Sequence, residues 1–249
     1  MADKSVFVLT RDPDVDFERF AFVLQHKLGP VLMREAPAIS KVALTLQDTA
    51  TPAPTVDIGG TAHPAEAAVE VWAEGPVSWG VVLERLREIS SSVQAWRVRQ
   101  TTIWDYSEPV PVGRAPWLGT LMFSERLPGT TQEHFETNWA VHGRNVARLE
   151  EHRAATLGRL GANLSPQGSL WIYRQNRLVE ALTDTRWPIP GYAEMHQVTS
   201  DPWWSRPLAS SAAGGRSPEG ADFEFEHEEP FFSPDNVRVI HGEHWIVAQ

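Results

Sequence analysis

The sequence contains no cysteine, and this absence excludes three kinds of chemistry. A disulfide framework, a thiolate nucleophile and a Cys-ligated metal site all need a sulfur atom that the chain does not have. Basic residues are also in the minority, with 22 Lys and Arg against 32 Asp and Glu. Because nucleic-acid binding depends on clustered Lys and Arg, we expect no nucleic-acid partner.

Long hydrophobic runs are missing as well. A membrane-spanning helix needs about 18 or more consecutive apolar residues, and the chain has no such run. The segment from Met1 to Thr10 also lacks the charged and apolar regions of a signal peptide. We therefore expect a cytoplasmic protein with no membrane partner.

Several common catalytic motifs are absent too. The chain has no Gly-x-Gly-x-x-Gly or Walker-type loop, no His-Glu-x-x-His helix and no Gly-x-Ser-x-Gly turn. A nucleotide-dependent enzyme, a zincin and an esterase therefore have no support from motifs. We expect chemistry that needs no cofactor, only a positioned acid, a base and a dry cavity.

Aromatic residues, in contrast, are abundant, and Trp alone occurs 11 times. Such large flat side chains fill either a bulky core or an aromatic-lined cavity. The composition leaves both uses open.

Hydrophobic periodicity predicts the element order strand, helix, strand, strand, helix, strand, and then the same order again. The stretch from Trp96 to Trp104 alternates as a strand that places both Trp on one face. The proline-rich stretch at 109–116 breaks regular structure and predicts a linker. The predicted division is a first unit at 1–108, the linker at 109–116 and a second unit at 117–249. The acidic segment from Asp222 to Glu229 is interpreted as a short helix, and the run from Glu224 to Glu229 within it as a solvated face.

Each unit would be an antiparallel sheet with helices on one face, so its other face needs cover. Pairing the two sheets face to face provides that cover, although two such units can also pack helix to helix. We predict an α+β fold in which two ferredoxin-like βαββαβ units are fused as a dimeric α/β barrel within one chain.

Two stretches of the second unit resemble the EthD family. The segment from Phe135 to His142 is similar to the family's helix pattern Phe-x3-Trp-x2-His, with Trp139 at the middle position. The segment from Tyr173 to Arg177 is similar to the family's second-strand pattern Tyr-x-Gln-Asn-Arg. The resemblance covers most of 117–249, and it implies a dimeric α/β barrel. That superfamily includes cofactor-independent oxygenases, cyclases, isomerases, lyases and decarboxylases of small aromatic or polyketide-like molecules, as well as haem enzymes.

The first unit matches this pattern only in architecture. When Phe20 is aligned with Phe135, Leu24 and Lys27 occupy the places of Trp139 and His142, and His26 lies one residue away. The first unit therefore lacks the polar centre that the resemblance implies. We expect one working site per chain, in the second unit.

Three residues are predicted to be catalytic: His142, Tyr173 and His196. An imidazole can take up and return a proton near neutral pH, and a phenol can donate to a developing oxyanion. The structural alternatives are a helix-end histidine bonded to backbone and a tyrosine anchored at a sheet edge. His196 shares a strand face with Glu194, and a carboxylate beside an imidazole would orient it. Alternation does not show which face is inward, and we take an exposed pair as the simpler interpretation.

Five further residues are predicted to contact substrate: Asn138, Trp139, Trp171, Gln175 and Glu194. No metal ligands are predicted, because His241 and His244 are three residues apart on a strand and would point to opposite faces. We interpret both as structural. A haem would need a proximal ligand and a macrocycle pocket that the sequence does not show, so no cofactor is predicted.

These residues support a hypothesis of a cofactor-independent lyase, isomerase or cyclase acting on a small aromatic or polyketide-like substrate by proton transfer. One alternative is a cofactor-free monooxygenase of a phenol or an anthrone. Another is a non-catalytic module that binds a hydrophobic ligand. The expected partner is a small aromatic substrate, and a homodimer is left open.

Overall fold

The computed structural model describes residues 3–47, 65–105, 110–159, 170–184, 189–197 and 226–249. The strands are β1 Asp3–Arg11, β2 Ile39–Leu46, β3 Ala67–Ala73, β4 Ser90–Asp105, β5 Gly113–Arg126, β6 Leu170–Ala181, β7 Gly191–Gln197 and β8 Phe232–Ala248. The helices are α1 Phe17–Val23, a π-helix Leu24–Leu28, α2 Gly29–Glu35, α3 Trp79–Arg87 and α4 Gln132–Arg159.

The eight strands form one closed barrel in the order β1-β3-β2-β8-β5-β7-β6-β4. Every neighbouring pair is antiparallel, including β2 with β8 and β4 with β6, which join the two halves of the chain. Within each half the spatial order is fourth, first, third and second strand. Closure removes the open sheet edges that each half would have alone. The predicted barrel of two sheets is therefore present.

The helices of the first half pack on the outside of this barrel. Phe20, Leu24 and Leu86 from the helices share one apolar cluster with Phe7 and Val69 from the strands. A second apolar cluster contains strand residues from both halves, such as Val8, Trp96 and Phe123. Because this second cluster is made without any of the described helices, it fills the barrel interior.

The first helix is interrupted where the sequence predicts one continuous helix to Met33. Pro30 cannot donate the usual backbone hydrogen bond, and its ring would collide with the carbonyl of the preceding turn. A π-helical turn at Leu24–Leu28 widens the helix just before the proline. Gly29 follows it at a close approach, since a Cβ there would collide with the carbonyl oxygen of Val247.

Strand β4 contains a bulge that the sequence prediction did not include. The register with β6 shifts between Thr102 and Trp104. An inserted residue turns the following side chain to the other face of the sheet. Trp96 therefore faces the barrel interior, whereas Trp104 packs with Tyr173 on the outside. The prediction that the two Trp share a face is wrong.

Helix starts follow local capping signals. Asp16 accepts a hydrogen bond from the backbone N–H of Arg19, and Thr131 accepts one from that of His134. These side chains satisfy backbone donors that have no partner inside the helix.

The division of the chain at 109–116 stays a prediction, although β5 already begins at Gly113. Among the helices in the described ranges, none is long and apolar enough to cross a membrane.

Candidate active site

The predicted site residues lie on the two opposite faces of the second-half sheet. Alternation along β6 places Tyr173 and Gln175 outside the barrel, where helix α4 covers them, and Arg174 inside. Alternation along β7 places Glu194 and His196 inside. His142 lies on α4, so it meets Tyr173 but not His196. The structure therefore brings together two of the three predicted catalytic residues.

The outer cluster consists of His142, Tyr173, Gln175 and Glu228. The imidazole Nδ1 of His142 lies 3.3 Å from Oε2 of Glu228, and the His142 side chain is 32% exposed while that of Glu228 is 10% exposed. A nearly buried carboxylate thus holds a histidine that solvent can still reach. Because Glu228 occupies Nδ1, the other ring nitrogen, Nε2, is left to exchange a proton with a substrate.

Tyr173 supplies a phenol next to this imidazole. The two rings meet edge to face with centroids 6.3 Å apart. Burial raises the pKa of Tyr173 to about 12, and the hydrogen bond from Gln175 only partly opposes this effect. The amide nitrogen of Gln175 donates to the backbone oxygen of Trp139 at 2.6 Å and to the Tyr173 oxygen at 3.4 Å. The phenol is therefore protonated at neutral pH and can act as a hydrogen-bond donor.

The predicted substrate contacts on α4 have structural hydrogen bonds and packing. Asn138 donates to the backbone oxygen of His134 and accepts from the backbone N–H of Glu229. Trp139 is buried against Phe135 with ring centroids 5.1 Å apart. Contact of these residues and Gln175 with a substrate stays a prediction. Trp171 belongs to β6, but its side chain lies outside the described residues.

A short acidic strap, residues 226–230, holds Glu228 in place along α4. Asn145 makes two hydrogen bonds of 2.9 Å with the backbone of Glu226, while Asn138 binds the backbone N–H of Glu229. Arg144 adds an ion pair of 2.6 Å to the Glu226 carboxylate. The prediction of a helix is wrong for 226–229, which has no helical structure. The solvated face is present at Glu229, which is 63% exposed, but not at Glu228, which is 10% exposed. Residues 222–225 lie outside the described ranges.

The inner cluster lies within the barrel and consists of Lys4, Glu70, Arg174, Glu194 and His196. The carboxylate oxygens of Glu194 lie 2.7 Å from Nζ of Lys4, 2.5 Å from Nη1 of Arg174 and 3.1 Å from Nε2 of His196. Burial alone would raise the pKa of Glu194, but Lys4 and Arg174 outweigh it and hold that pKa well below its usual range. Glu194 is therefore ionised, and Nε2 of His196 donates the proton of their hydrogen bond.

Glu70 completes the ion pairs of the inner cluster. Its Oε1 lies 2.6 Å from Lys4 Nζ and accepts a hydrogen bond of 2.7 Å from the hydroxyl of Tyr192. Burial, followed by the charge of Glu70, raises the pKa of Tyr192 well above its usual value. The Glu194 and His196 side chains are 1% and 3% exposed. The interpretation of these two as an exposed pair is therefore wrong, because the strand face that carries them is the interior face.

His241 and His244 point to opposite faces, as predicted. His241 lies 2.8 Å from the hydroxyl of Thr120 on the outside, whereas the ring of His244 lies 4.3 Å from that of His196 inside the barrel. Burial and the neighbouring His196 lower the pKa of His244 well below its usual value, so it is neutral. His244 therefore adjoins the inner cluster. Within the described ranges, no group of three or more His, Cys, Asp or Glu is arranged to hold a metal ion.

Sequence reasoning missed Glu228 and most of the inner cluster. A signal was available for Lys4 and Glu70, because each interrupts an otherwise apolar face of a short strand, with Val6 following Lys4 and Ala68 preceding Glu70. A charge at such a position needs a partner inside. No comparable signal marked Glu228, which is one of several acidic residues in a row.

The corresponding place in the first half is apolar. Leu24, Leu28 and Leu32 are buried where the helix meets the sheet. His26 is exposed, and its ring contacts only surface-side aromatic residues among the described ones, Phe22 at 5.0 Å and Trp245 at 5.8 Å. Among its described residues, 3–47 and 65–105, the first half therefore has no counterpart of the His142–Glu228 pair.

Comparison with known proteins adds two distant structural matches. No protein-family model matches the chain, and no curated protein matches it. A provisionally assigned monooxygenase from Lactobacillus acidophilus NCFM aligns with a TM-score of 0.42 at 9% identity, over 80% of this chain and 77% of that one. An anthrone oxidase-like protein aligns with a TM-score of 0.44 at 9% identity, over 99% and 91% of the two chains. Similarity at this level identifies neither a family nor a substrate.

Proposed function

We propose that the outer cluster is the active site of a cofactor-independent enzyme that transfers protons on a small aromatic or polyketide-like substrate, as a lyase, isomerase or cyclase. The observation that carries this proposal is the pair formed by His142 and Glu228, whose side chains lie 3.3 Å apart. A buried carboxylate fixes the ring of a histidine that remains accessible, which is the arrangement a general base needs.

The chemistry follows from the two ring nitrogens. Nδ1–H of His142 donates to Glu228, so Nε2 accepts a proton from a carbon or hydroxyl of the substrate. The Glu228 carboxylate stabilises the imidazolium that forms. Tyr173 keeps its proton at neutral pH because burial raises its pKa to about 12, and its hydroxyl donates to the oxyanion that develops on the substrate. The imidazolium then returns the proton at another position or to a leaving group.

The proposed function uses the two halves of the chain differently. The two halves are interpreted as fused ferredoxin-like units, and membership of the EthD family is part of the same proposal. The apolar packing of Leu24 and Leu28 supports the idea that the first half supplies shape and sheet surface rather than a second site. A second copy of the chain is not needed to complete the outer cluster, because all four of its residues come from one chain.

The direct test is hydrogen exchange and turnover with a panel of phenols, anthrones and aromatic β-ketones in D2O, followed by NMR. We expect His142→Asn to lower the rate about 100- to 10,000-fold, the range that a general base contributes. Glu228→Gln should lower it less, because the imidazole remains. The matched control is His227→Asn, which changes an exposed neighbour in the same strap and should leave the rate unchanged.

Three other outcomes have separate meanings. Oxygen uptake that matches product formation would assign the alternative reaction, in which the same base forms a carbanion or phenolate and oxygen then attacks it. Ligand-induced change in Trp fluorescence without exchange or product would contradict the enzymatic proposal and favour a binding module. A visible absorbance band in the purified protein would contradict its cofactor-independent part.

A further inference from the structure

A cavity of about 420 Å³ opens on the outside of the barrel, away from the outer cluster. It lies between the loop that joins β3 to α3 and the strands β1, β4 and β6. Its volume falls within the range of about 300–1,000 Å³ that is typical of small-molecule sites. None of the four residues of the outer cluster lines this cavity, so the proposed reaction does not use it.

One wall of the cavity is apolar and firmly placed. Trp79, the first residue of α3, lines the cavity and packs on the buried Phe7, with ring centroids 6.0 Å apart. Val77 and Leu182 line the same wall, and both pack against the first-half core. Because Trp79 is only half-buried, part of its ring stays open to the cavity. An apolar ligand would therefore find a surface that is already in position.

The rest of the lining carries an excess of negative charge. Arg97 lies 2.8 Å from a carboxylate oxygen of Glu180 and 3.4 Å from one of Asp3. Glu74 lines the cavity too, and its carboxylate has no hydrogen bond or ion pair with any residue that the structure describes. Three carboxylates and one guanidinium leave these side chains with a net charge of −2. The cavity thus combines an apolar wall with a carboxylate that has no cationic partner in the described chain.

We propose that this cavity binds a small organic cation, in which an ammonium group is attached to an apolar or aromatic body. The ammonium donates to the carboxylate of Glu74, and the body lies against Trp79 and Leu182. The face of an indole ring attracts a cation as well, so Trp79 serves both parts of such a ligand. A cleft lined mainly by one sign of charge also raises the local concentration of the opposite ion.

The same charges disfavour an anionic ligand. Arg97 is the only cationic side chain in the lining, and it already binds two carboxylates. An anion would have to displace one of them and would then face the unpaired Glu74. A neutral ligand would use the apolar wall but would gain nothing from the net charge. A cation is therefore the class that the lining favours.

The first test titrates the wild-type chain with three probes of similar size by isothermal titration calorimetry. The probes are 2-phenylethylammonium, its neutral analogue 2-phenylethanol and the anion 3-phenylpropionate. We expect the ammonium to bind about tenfold more tightly than the alcohol, from one solvent-exposed ion pair and one cation–π contact, and the anion to bind most weakly. Raising the salt concentration from about 0.01 M to about 0.15 M should reduce this preference. Equal affinities, or no saturable binding of the ammonium, would overturn the proposal.

The second test assigns the binding to Glu74. Glu74→Gln should weaken binding of 2-phenylethylammonium about threefold and leave binding of 2-phenylethanol unchanged, because only the charged probe loses a partner. Glu84→Gln is the matched control, since Glu84 is exposed on α3 but does not line the cavity. It removes the same charge and should leave both affinities unchanged. Equal losses in the two variants would mean general attraction by an acidic protein and would overturn the proposal.

The third test locates the probe on the molecule. The indole N–H signal of Trp79 is identified by its absence in Trp79→Phe, and we expect 2-phenylethylammonium to shift it in the wild-type chain. His142→Asn should bind the probe with wild-type affinity. If His142→Asn abolishes binding, the probe occupies the outer cluster and the cavity proposal is wrong. If Trp79→Phe does not fold, the comparison of Glu74→Gln with Glu84→Gln decides alone.

Discussion

At the scale of single residues, a pair of one histidine and one glutamate occurs twice, in two different environments. His142 and Glu228 form a pair that solvent can reach, with the His142 side chain 32% exposed. His196 and Glu194 form a fully buried pair, in which Lys4 and Arg174 already neutralise the carboxylate. His142 is 32% exposed and His196 is 3% exposed, so only His142 is open to a substrate from solvent. The proposed general base is therefore His142 rather than His196.

Glu194 is also the residue on which the buried charges of the interior depend. Glu194→Gln leaves Lys4 and Arg174 with one compensating charge fewer inside the barrel, and we expect a loss of about 3–5 kcal/mol in the free energy of unfolding. Glu180→Gln is the matched control, because Glu180 is 54% exposed in its ion pair with Arg97 and should lose at most about 1 kcal/mol. Urea unfolding followed by far-UV circular dichroism compares the two. Similar small losses in both variants would show that the interior charges are not a coupled network.

Tyr173 gives the clearest dependence on pH. Its folded-state pKa, about 12, is raised above the ordinary value of 10.0, so its contribution to stability is present below about pH 10 and is lost as the pH rises toward 12. Between pH 10 and pH 11 the wild-type free energy of unfolding should fall about 1 kcal/mol further than that of Tyr173→Phe. Denaturant titrations at these two pH values measure the difference. Identical pH dependence in the two proteins would mean that the phenol ionises normally and is not buried.

At the scale of elements, the acidic strap and helix α4 act as one unit. The strap has no regular structure of its own, and Asn145 and Asn138 substitute for the backbone pairing that a strand would provide. These two asparagines lie seven positions apart, which is two helical turns, and therefore on the same face of α4. His142 lies between them in sequence. Helix α4 therefore carries both His142 and the two asparagines that hold the strap containing Glu228.

Asn145→Ala tests this coupling. The substitution removes two hydrogen bonds, so we expect faster amide hydrogen exchange in 226–230 and a loss of turnover of about tenfold, with stability lowered by about 1–3 kcal/mol. Arg148→Ala is the control, since Arg148 pairs with the same Glu226 at 2.9 Å but is 46% exposed. It should change the exchange rate little. Equal effects of the two substitutions would contradict a specific positioning role for Asn145.

Periodicity predicted the elements well where one face of each is apolar. Alternation of apolar residues predicts strands at Ser40 to Leu46 and at Gly191 to Val198, and these strands are observed as β2 and β7. The bulge before Trp104 could not be predicted, because it depends on pairing with β6 rather than on local sequence. The π-helix forms because of Pro30 alone, and this proline is the one feature of the local sequence that indicates it.

At the scale of the whole molecule, the clusters join residues that are far apart in sequence. His142 and Glu228 are 86 positions apart, and Lys4 and Glu194 are 190 apart. Their proximity depends on barrel closure and on the path of the chain after β7. Neither can be recognised from the few residues that surround each position in the sequence. The resemblance on α4 and β6 predicted His142 and Tyr173 as site residues, and the structure places their rings side by side because the two elements pack together. The partner of His142 and the interior network had no such local motif.

The closed barrel also explains why the two halves can differ in use. Pairing of β2 with β8 and β4 with β6 requires a matching sheet from each half but no matching side chains on the outer faces. The first half covers its outer face with leucines, and the second half places a polar cluster there. Within the part of the chain that the structure describes, there is therefore one outer cluster.

The central claim is that turnover depends on the histidine of the second half alone. The most direct test measures the rate of hydrogen exchange or product formation for His142→Asn and His26→Asn side by side, with circular dichroism to confirm that both proteins fold. We predict a loss of about 100-fold or more for His142→Asn and a wild-type rate for His26→Asn. Full activity of a folded His142→Asn protein, or a comparable loss in His26→Asn, would contradict the claim.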